Sequence, residues 1–474
     1  MMSLPPSLVA LRRLISKRAC SAGEALQAQY RHIREEDEHW HSATHFFPLP
    51  THIDHTLPLA GIGLAHKDIF TMRGRTPGCG AAVAPSWKQP CTAIRNLSRA
   101  GSEPMAALSM AEFAAGITGD NPNLPRPVNP ISTNAMVGGS SSGSAVAVAA
   151  GLCYASLGTD TAGSIRVPAA TCGILGLKTT RGLLPTTGCY PLAPSLDTIG
   201  VMARSALDAA QVLAASMSIS ARKRIFSHLP PTSDALSDNA WDNLDKGLPM
   251  PDHWRLAWCP EHEDSYATPS EPQARVLETF MSWIARFAHV SHVSLTNYPE
   301  LTRHASVVLH AECTSTHAHA LRTPSTRPLS PTTRALALPG AAMPAFWYAE
   351  SQALQHELTM AFLTLILKDS DMLVTPILPQ GVPDWSAVLP DSPEFDPRAL
   401  IALFSWTAFV NYMGLPAITF PIGEDEKGRP VCIQVIGKPR TEALLLAFAW
   451  RIQQERYAER GFSPASSPAE KANH

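Results

Sequence analysis

The chain has 474 residues, of which 45% are hydrophobic and 16% charged, with a formal net charge of −2. That balance excludes a disordered chain and gives no electrostatic reason to expect a nucleic acid or an acidic membrane as partner. The 9 cysteines form no CxxC pair and read as reduced thiols of a cytoplasmic protein.

Near the start, Leu8 to Leu11 is apolar, but Arg12 and Arg13 interrupt it, so it does not read as a secretory leader. No apolar run approaches the ~18–20 residues of a membrane span. The 42 prolines exceed the usual ~5% share and imply many rigid loops between short elements. Residues 7–38 place apolar side chains at helical spacing, which predicts a helical segment. His39, His41, His45, His52 and His55 follow. The His39–His41 pair raises a metal-dependent hydrolase as an alternative, but no apolar strand holds the two rings, and a polar loop is the better reading.

From Leu57 to Phe70 runs an apolar, glycine-punctuated, strand-like stretch with Lys67 near its end. Such a lead-in predicts burial, and burial lowers a lysine pKa by disfavouring the ammonium. A proline- and asparagine-rich loop over 121–134 leads to the stretch that organises the chain, Gly138 to Arg166. It opens with a Gly/Ser turn, continues as small apolar residues from Ala145 to Ala155 that predict a tightly packed helix, and ends in a second Gly/Thr/Ser turn, Gly158 to Ser164. Two serine-bearing loops joined by a short buried rod can meet at one point. A GxSxG reading with Ser141 as nucleophile would need a strand directly before it, and a loop stands there instead.

Beyond Arg181, a helix is predicted from about Ser205 to Ser216, and residues 222–251 read as a surface excursion. A strand over His253–Cys259, a helix over Ala274–His289 and a strand over Val290–Leu295 give a βαβ rhythm that predicts parallel strands covered by helices. A long helix over Ala349–Leu367, strands over Asp371–Pro379, Leu415–Gly423 and Val431–Gly437, and a helix over Glu442–Glu459 complete the chain.

Gly138–Gly143, Gly158–Pro168 and Gly176–Gly182 resemble the three consecutive signature segments of the amidase signature family of serine hydrolases, and the separation of Ser140 and Ser164 is the family's usual one. Gly61 to Asp68 resembles its lysine-bearing segment, with Gly63 in place of the usual proline and His66 in place of the usual valine. The resemblance spans roughly residues 55–455. It implies an α/β fold: a single large domain with a mixed central β-sheet flanked by helices. Residues 1–45 would form a helical arm packed on the core, 46–462 the amidase signature domain with 222–251 as a surface insertion, and 463–474 a flexible tail.

The same resemblance implies an amidase that cleaves a carboxamide, or an ester or carbamate, through an acyl-enzyme. Ser164 would be the nucleophile, Ser140 the bridging serine on a cis peptide, and Lys67 the base, neutral before attack. The backbone N–H groups of Thr161, Ala162, Gly163 and Ser164 would form the oxyanion hole, with Ser141, Asp160 and Arg166 holding the loop. Ala162 stands where the family more often has glycine, and fits only if its φ is not positive. No metal and no cofactor are implied. The expected partner is a small-molecule amide, with no nucleic acid or membrane, and a homodimer is left open.

The alternative within the family is the ammonia-supplying glutaminase component of a tRNA-dependent amidotransferase. The stretch His310 to His319 departs from the segment those glutaminase components usually carry, which favours a stand-alone amidase. Trp347, Trp385, Phe404 and Trp406 suggest an apolar or aromatic acyl site, and core packing explains them as well.

Overall fold

A computed structural model of the chain describes residues 3–226, 247–248, 250–261, 266–323 and 328–460. Most of the expected insertion at 222–251 and all of the expected tail lie outside the described residues. Two sheets organise the chain. The smaller has the order β1-β3-β2, from Ala43–Phe46 (β1), Gly63–Lys67 (β2) and Glu103–Leu108 (β3), with β2 and β3 parallel. The larger has eight strands in the order β4-β6-β5-β10-β11-β9-β7-β8. These are Ala155–Asp160 (β4), Leu175–Lys178 (β5), Thr198–Ala203 (β6), Trp254–Trp258 (β7), Ala288–His292 (β8), Met372–Pro376 (β9), Ala417–Glu424 (β10) and Pro430–Gly437 (β11).

Among the described residues, only the β7–β8 and β7–β9 pairs of the large sheet are parallel, the first of them where the predicted βαβ rhythm lies; β4, β5, β6, β10 and β11 pair antiparallel. The sheet is therefore mixed, with helices such as Ala206–Ser216 packed on it, and the fold is the expected single α/β domain. Its central strands are buried throughout, which explains why they read as continuous apolar runs rather than as alternations.

The predicted N-terminal helix is two helices, Leu8–Ser16 and Ala22–Trp40. Ser21 ends the break between them by forming a capping box with Glu24, each side chain meeting the other residue's backbone N–H. The second helix leads into β1, whose pairing with β3 ties this segment into the small sheet. Inside the organising stretch the helix is shorter than its small-residue run suggests, covering Ser142–Ala149. The chain then turns at Gly151 and enters β4, so residues read as the tail of a helix and the start of a turn are a buried strand. The small sheet ends at Lys67 and β4 ends at Asp160, and the candidate site lies between them.

Candidate active site

Lys67 is the last residue of β2, and its whole side chain is shielded from solvent. Its Nζ donates to Ser140 Oγ at 2.7 Å and to Thr159 Oγ1 at 2.9 Å. Burial pushes the ammonium's pKa down to about 7, although Asp160, Asp197 and the thiols of Cys189 and Cys79 oppose the shift. A lysine in this setting carries a substantial neutral fraction at physiological pH. His66, one residue before it, is also fully buried; its pKa falls to about 3, because burial disfavours the imidazolium. Its Nδ1 accepts the N–H of Leu157 at 3.0 Å, so the substitution of histidine for the family's valine adds no positive charge beside the lysine.

Ser140 lies in the Gly/Ser turn that opens the helix Ser142–Ala149, and the Gly139–Ser140 peptide is cis. The turn is crowded. A side chain at Gly139 would place its Cβ 2.4 Å from the Gly116 carbonyl oxygen and 2.6 Å from the Gly119 nitrogen, so only glycine fits. Ala111 N–H donates to the Ser140 carbonyl at 3.1 Å, which pins the turn to the segment following β3. Ser141 points the other way. Its Oγ is buried and donates to the Thr159 carbonyl at 3.3 Å, and no strand directly precedes Gly139, so the elbow geometry required by the GxSxG reading is absent. The Ser141 N–H donates to the Ser164 carbonyl at 3.3 Å and sets the two serine loops side by side. Ser164 is the more accessible of the two serines, 7% exposed against 0% for Ser140.

The loop from Asp160 to Ser164 is held by a buried ion pair. Arg166 donates through Nε to Asp160 Oδ2 at 3.0 Å and through an Nη to Oδ1 at 2.9 Å, a two-pronged contact with both side chains fully buried. The guanidinium also reaches Gln434 Oε1, Asn411 Oδ1 and the Thr407 carbonyl. Burial alone would raise the Asp160 pKa; the Arg166 charge, helped by Lys178 and the Asn411 amide, reverses that and holds the carboxyl well below its ordinary range. Gly163 and Ile165 N–H donate to the same carboxylate at 2.8 and 3.1 Å.

Gly163 adopts φ +123°, and a Cβ there would lie 2.8 Å from Thr407 Oγ1, so this position requires glycine. Ala162 does not take a positive φ, and alanine is accommodated where the family more often has glycine. Of the four N–H groups expected at an oxyanion hole, that of Gly163 is committed to Asp160. Those of Thr161, Ala162 and Ser164 have no acceptor among the described residues.

Three participants were not singled out in the sequence. Thr159 shares Lys67 with Ser140. Asp197 accepts the Thr161 hydroxyl at 2.6 Å, and Asn411 donates to both the carbonyl and the carboxylate of Asp160. The four aromatic residues considered for an acyl site do not gather. Trp406 is in the core with its indole N–H on the Ala267 carbonyl, Trp385 lies under the Arg126 guanidinium, and Trp347 and Phe404 face solvent. Phe113, Tyr190, Trp87 and His317 form a cluster instead, and Tyr190 N–H donates to the Ile69 carbonyl, two residues past Lys67. His39 packs edge-on against Trp40 and His41 caps the preceding helix in a left-handed conformation. Among the described residues no group of three His, Cys, Asp or Glu side chains is arranged to hold a metal ion.

A buried lysine against two adjoining Gly/Ser loops, on a mixed sheet flanked by helices, matches a known family: the Amidase family profile covers residues 40–446, and the chain belongs to that family, the amidase signature hydrolases. It is 31% identical over 422 residues to the GatA-type component of the glutamyl-tRNA(Gln) amidotransferase of Chromohalobacter salexigens, covering 84% of this chain and 83% of that one. It is 30% identical over 373 residues to a fatty acid amide hydrolase of Medicago truncatula, covering 77% of this chain and 60% of that one. A crystal structure of an amidase superposes with a TM-score of 0.77 at 24% identity, covering 95% of this chain and 99% of the other. The corresponding glutamyl-tRNA(Gln) amidotransferase component of Thermotoga maritima does so with a TM-score of 0.74 at 22% identity, covering 98% and 99%. Among the described residues no helix is long and apolar enough to cross a membrane.

Proposed function

We propose that this protein is a stand-alone amidase that hydrolyses a carboxylic acid amide, or an activated ester or carbamate, through an acyl-enzyme on Ser164. The observation that carries this reading is the 2.7 Å contact between Lys67 Nζ and Ser140 Oγ in a site that excludes solvent from the lysine. A neutral amine has two N–H donors and one lone pair. Thr159 Oγ1 accepts one N–H, and the lone pair can take the Ser140 proton as Ser140 takes that of Ser164. Ser164 Oγ then attacks the carbonyl, and the N–H groups of Thr161, Ala162 and Ser164 receive the developing oxyanion. Run backwards, the relay delivers the proton to the departing nitrogen. Water repeats the sequence on the acyl-enzyme and releases the acid.

A second reading has a specific observation behind it: relatives near 30% identity include components of glutamyl-tRNA(Gln) amidotransferases. In this chain Glu312, within the stretch that departs from those proteins, accepts the Ser195 N–H and hydroxyl and the Tyr348 hydroxyl, so it is engaged internally. One experiment separates the readings. The purified chain alone is incubated with a panel of aryl, aliphatic and amino-acid amides, and a serine-directed fluorophosphonate is tested in parallel. Turnover of an amide by the lone chain, with labelling lost in Ser164→Ala, supports the amidase. Glutaminase activity that appears only with co-purified partner proteins supports the alternative.

A further inference from the structure

Thr161 is held at both its backbone and its side chain. The peptide that carries its N–H ends in the Asp160 carbonyl, which accepts Thr198 Oγ1 at 2.9 Å and the Asn411 amide at 2.9 Å. In a trans peptide the N–H points opposite to the C=O, so anchoring that oxygen aims the Thr161 N–H away from Thr198 and Asn411. The side chain is fixed independently, because Thr161 Oγ1 donates to Asp197 Oδ1 at 2.6 Å. Asp197 is itself immobilised: its Oδ2 accepts Leu192 N–H at 2.9 Å and its Oδ1 accepts Ala193 N–H at 3.3 Å. All three partners are donors, which suits a carboxylate that accepts, and they oppose the burial that raises its pKa to about 6.

We propose that Asp197 is a positioning residue for the acyl-transfer site, acting through the Thr161 hydroxyl to hold the Thr161 and Ala162 N–H groups at the angle the oxyanion requires. The inference rests on the reading of Ser164 as nucleophile. It assigns to Asp197 a function beyond bracing the 190–197 turn, and it makes a hydroxyl turned to Asp197 a determinant of rate. Asp197 and Thr198 are adjacent on the chain and hold Thr161 and Asp160, so one dipeptide sets the direction of the proposed hole.

The test uses the full chain and the rate of covalent labelling by a fluorophosphonate, whose phosphoryl oxygen occupies the place of the oxyanion. Thr161→Val keeps the shape of the side chain and removes only the hydroxyl. Removing an oxyanion donor outright costs about 10²–10³-fold, and misaiming one is expected to slow the maximal labelling rate ~10–100-fold. The half-saturating probe concentration should stay within ~3-fold, and labelling well below the thermal midpoint of either protein keeps the modest loss of stability from the broken buried hydrogen bond out of the rate. Thr161→Ser should restore the rate, and Thr161→Val combined with Asp197→Ala should be no slower than the slower single variant, since both remove the same hydrogen bond. An unaltered rate in Thr161→Val, a loss that tracks a fall in thermal midpoint, or additive losses in the double variant would overturn the assignment. Wild-type protein that is not labelled, or labelling that survives Ser164→Ala, would instead remove the nucleophile reading and this inference with it.

Discussion

Lys67 and Ser140 stand 73 positions apart in the chain and meet at 2.7 Å, one at the end of a strand in the small sheet and the other in a turn at the head of a helix. The lysine is fully buried, so the contact fixes its partner while burial lowers its pKa to about 7. If the proposed relay operates, Lys67→Ala lowers the rate of amide hydrolysis by about 10²–10⁴-fold, the range for loss of a general base. Steady-state kinetics on whichever amide the wild type turns over measure it, and a loss under tenfold would refute the role.

The pH profile follows from the same residue. Burial places the Lys67 pKa at about 7, and only the neutral amine can accept a proton. Below pH 7 the lysine is an ammonium and the relay is blocked; above it the base is free. The expected kcat/KM therefore rises with pH through a midpoint near 7, rather than through the ordinary lysine value near ~10.4. A rate independent of pH between 5.5 and 8.5 would contradict this.

Thr159→Val removes one of the two acceptors that Lys67 donates to. Losing an acceptor disfavours the ammonium further, so the midpoint should move to lower pH. The amine should also lose its aim, with a fall in kcat of ~10-fold or more. A midpoint that moves upward would show that Thr159 does not act on the lysine in this way.

Arg166→Leu leaves Asp160 as an unpaired buried carboxylate, since the guanidinium makes two of its contacts. The expected loss of stability is ~3–5 kcal/mol, measured by urea unfolding at pH 7. The pair lowers the Asp160 pKa, so its contribution is present at neutral pH and above the ordinary carboxylate range, and is lost as acid protonates the group. The difference between wild type and variant should therefore narrow on acidification. Arg166→Lys should not rescue, because an ammonium cannot replace the two-pronged contact.

Gly163→Ala should cost ~1–3 kcal/mol in strain at its positive φ and push against Thr407 Oγ1. Ala162→Gly should be tolerated, since Ala162 already has an ordinary φ. Thermal unfolding of the two variants separates the positions, and equal losses would mean the loop is not held as described.

The serine and lysine positions were legible because each sits in a short segment whose residue types are dictated locally: Gly139 by contact with Gly116 and Gly119, Gly163 by its φ, and Lys67 by an apolar strand. Thr159 was not legible. It lies on β4, where Gly158 and Thr159 read as a turn, and nothing in a Gly-Thr-Asp run announces a strand buried on all sides. Asp197 and Asn411 were hidden for a different reason. Their partners lie 36 and 251 positions away, and polarity alone does not distinguish them from other acidic or amide side chains. The βαβ rhythm over 253–295 is legible because a helix separates β7 from β8, which pair in parallel, while β10 and β11, joined by a short turn, pair antiparallel and make the sheet mixed as the family resemblance implies.

The lysine hangs from a three-stranded sheet and Asp160 closes a strand of an eight-stranded one, so the site is a seam between two sheets, joined there by the Leu157 N–H on His66 and by Lys67 on Thr159. A seam can part while the fabric on either side stays whole. If the proposed relay operates across this seam, mild denaturant or heat is expected to silence turnover before circular dichroism registers any melting, and coincident loss of activity and ellipticity would refute that order.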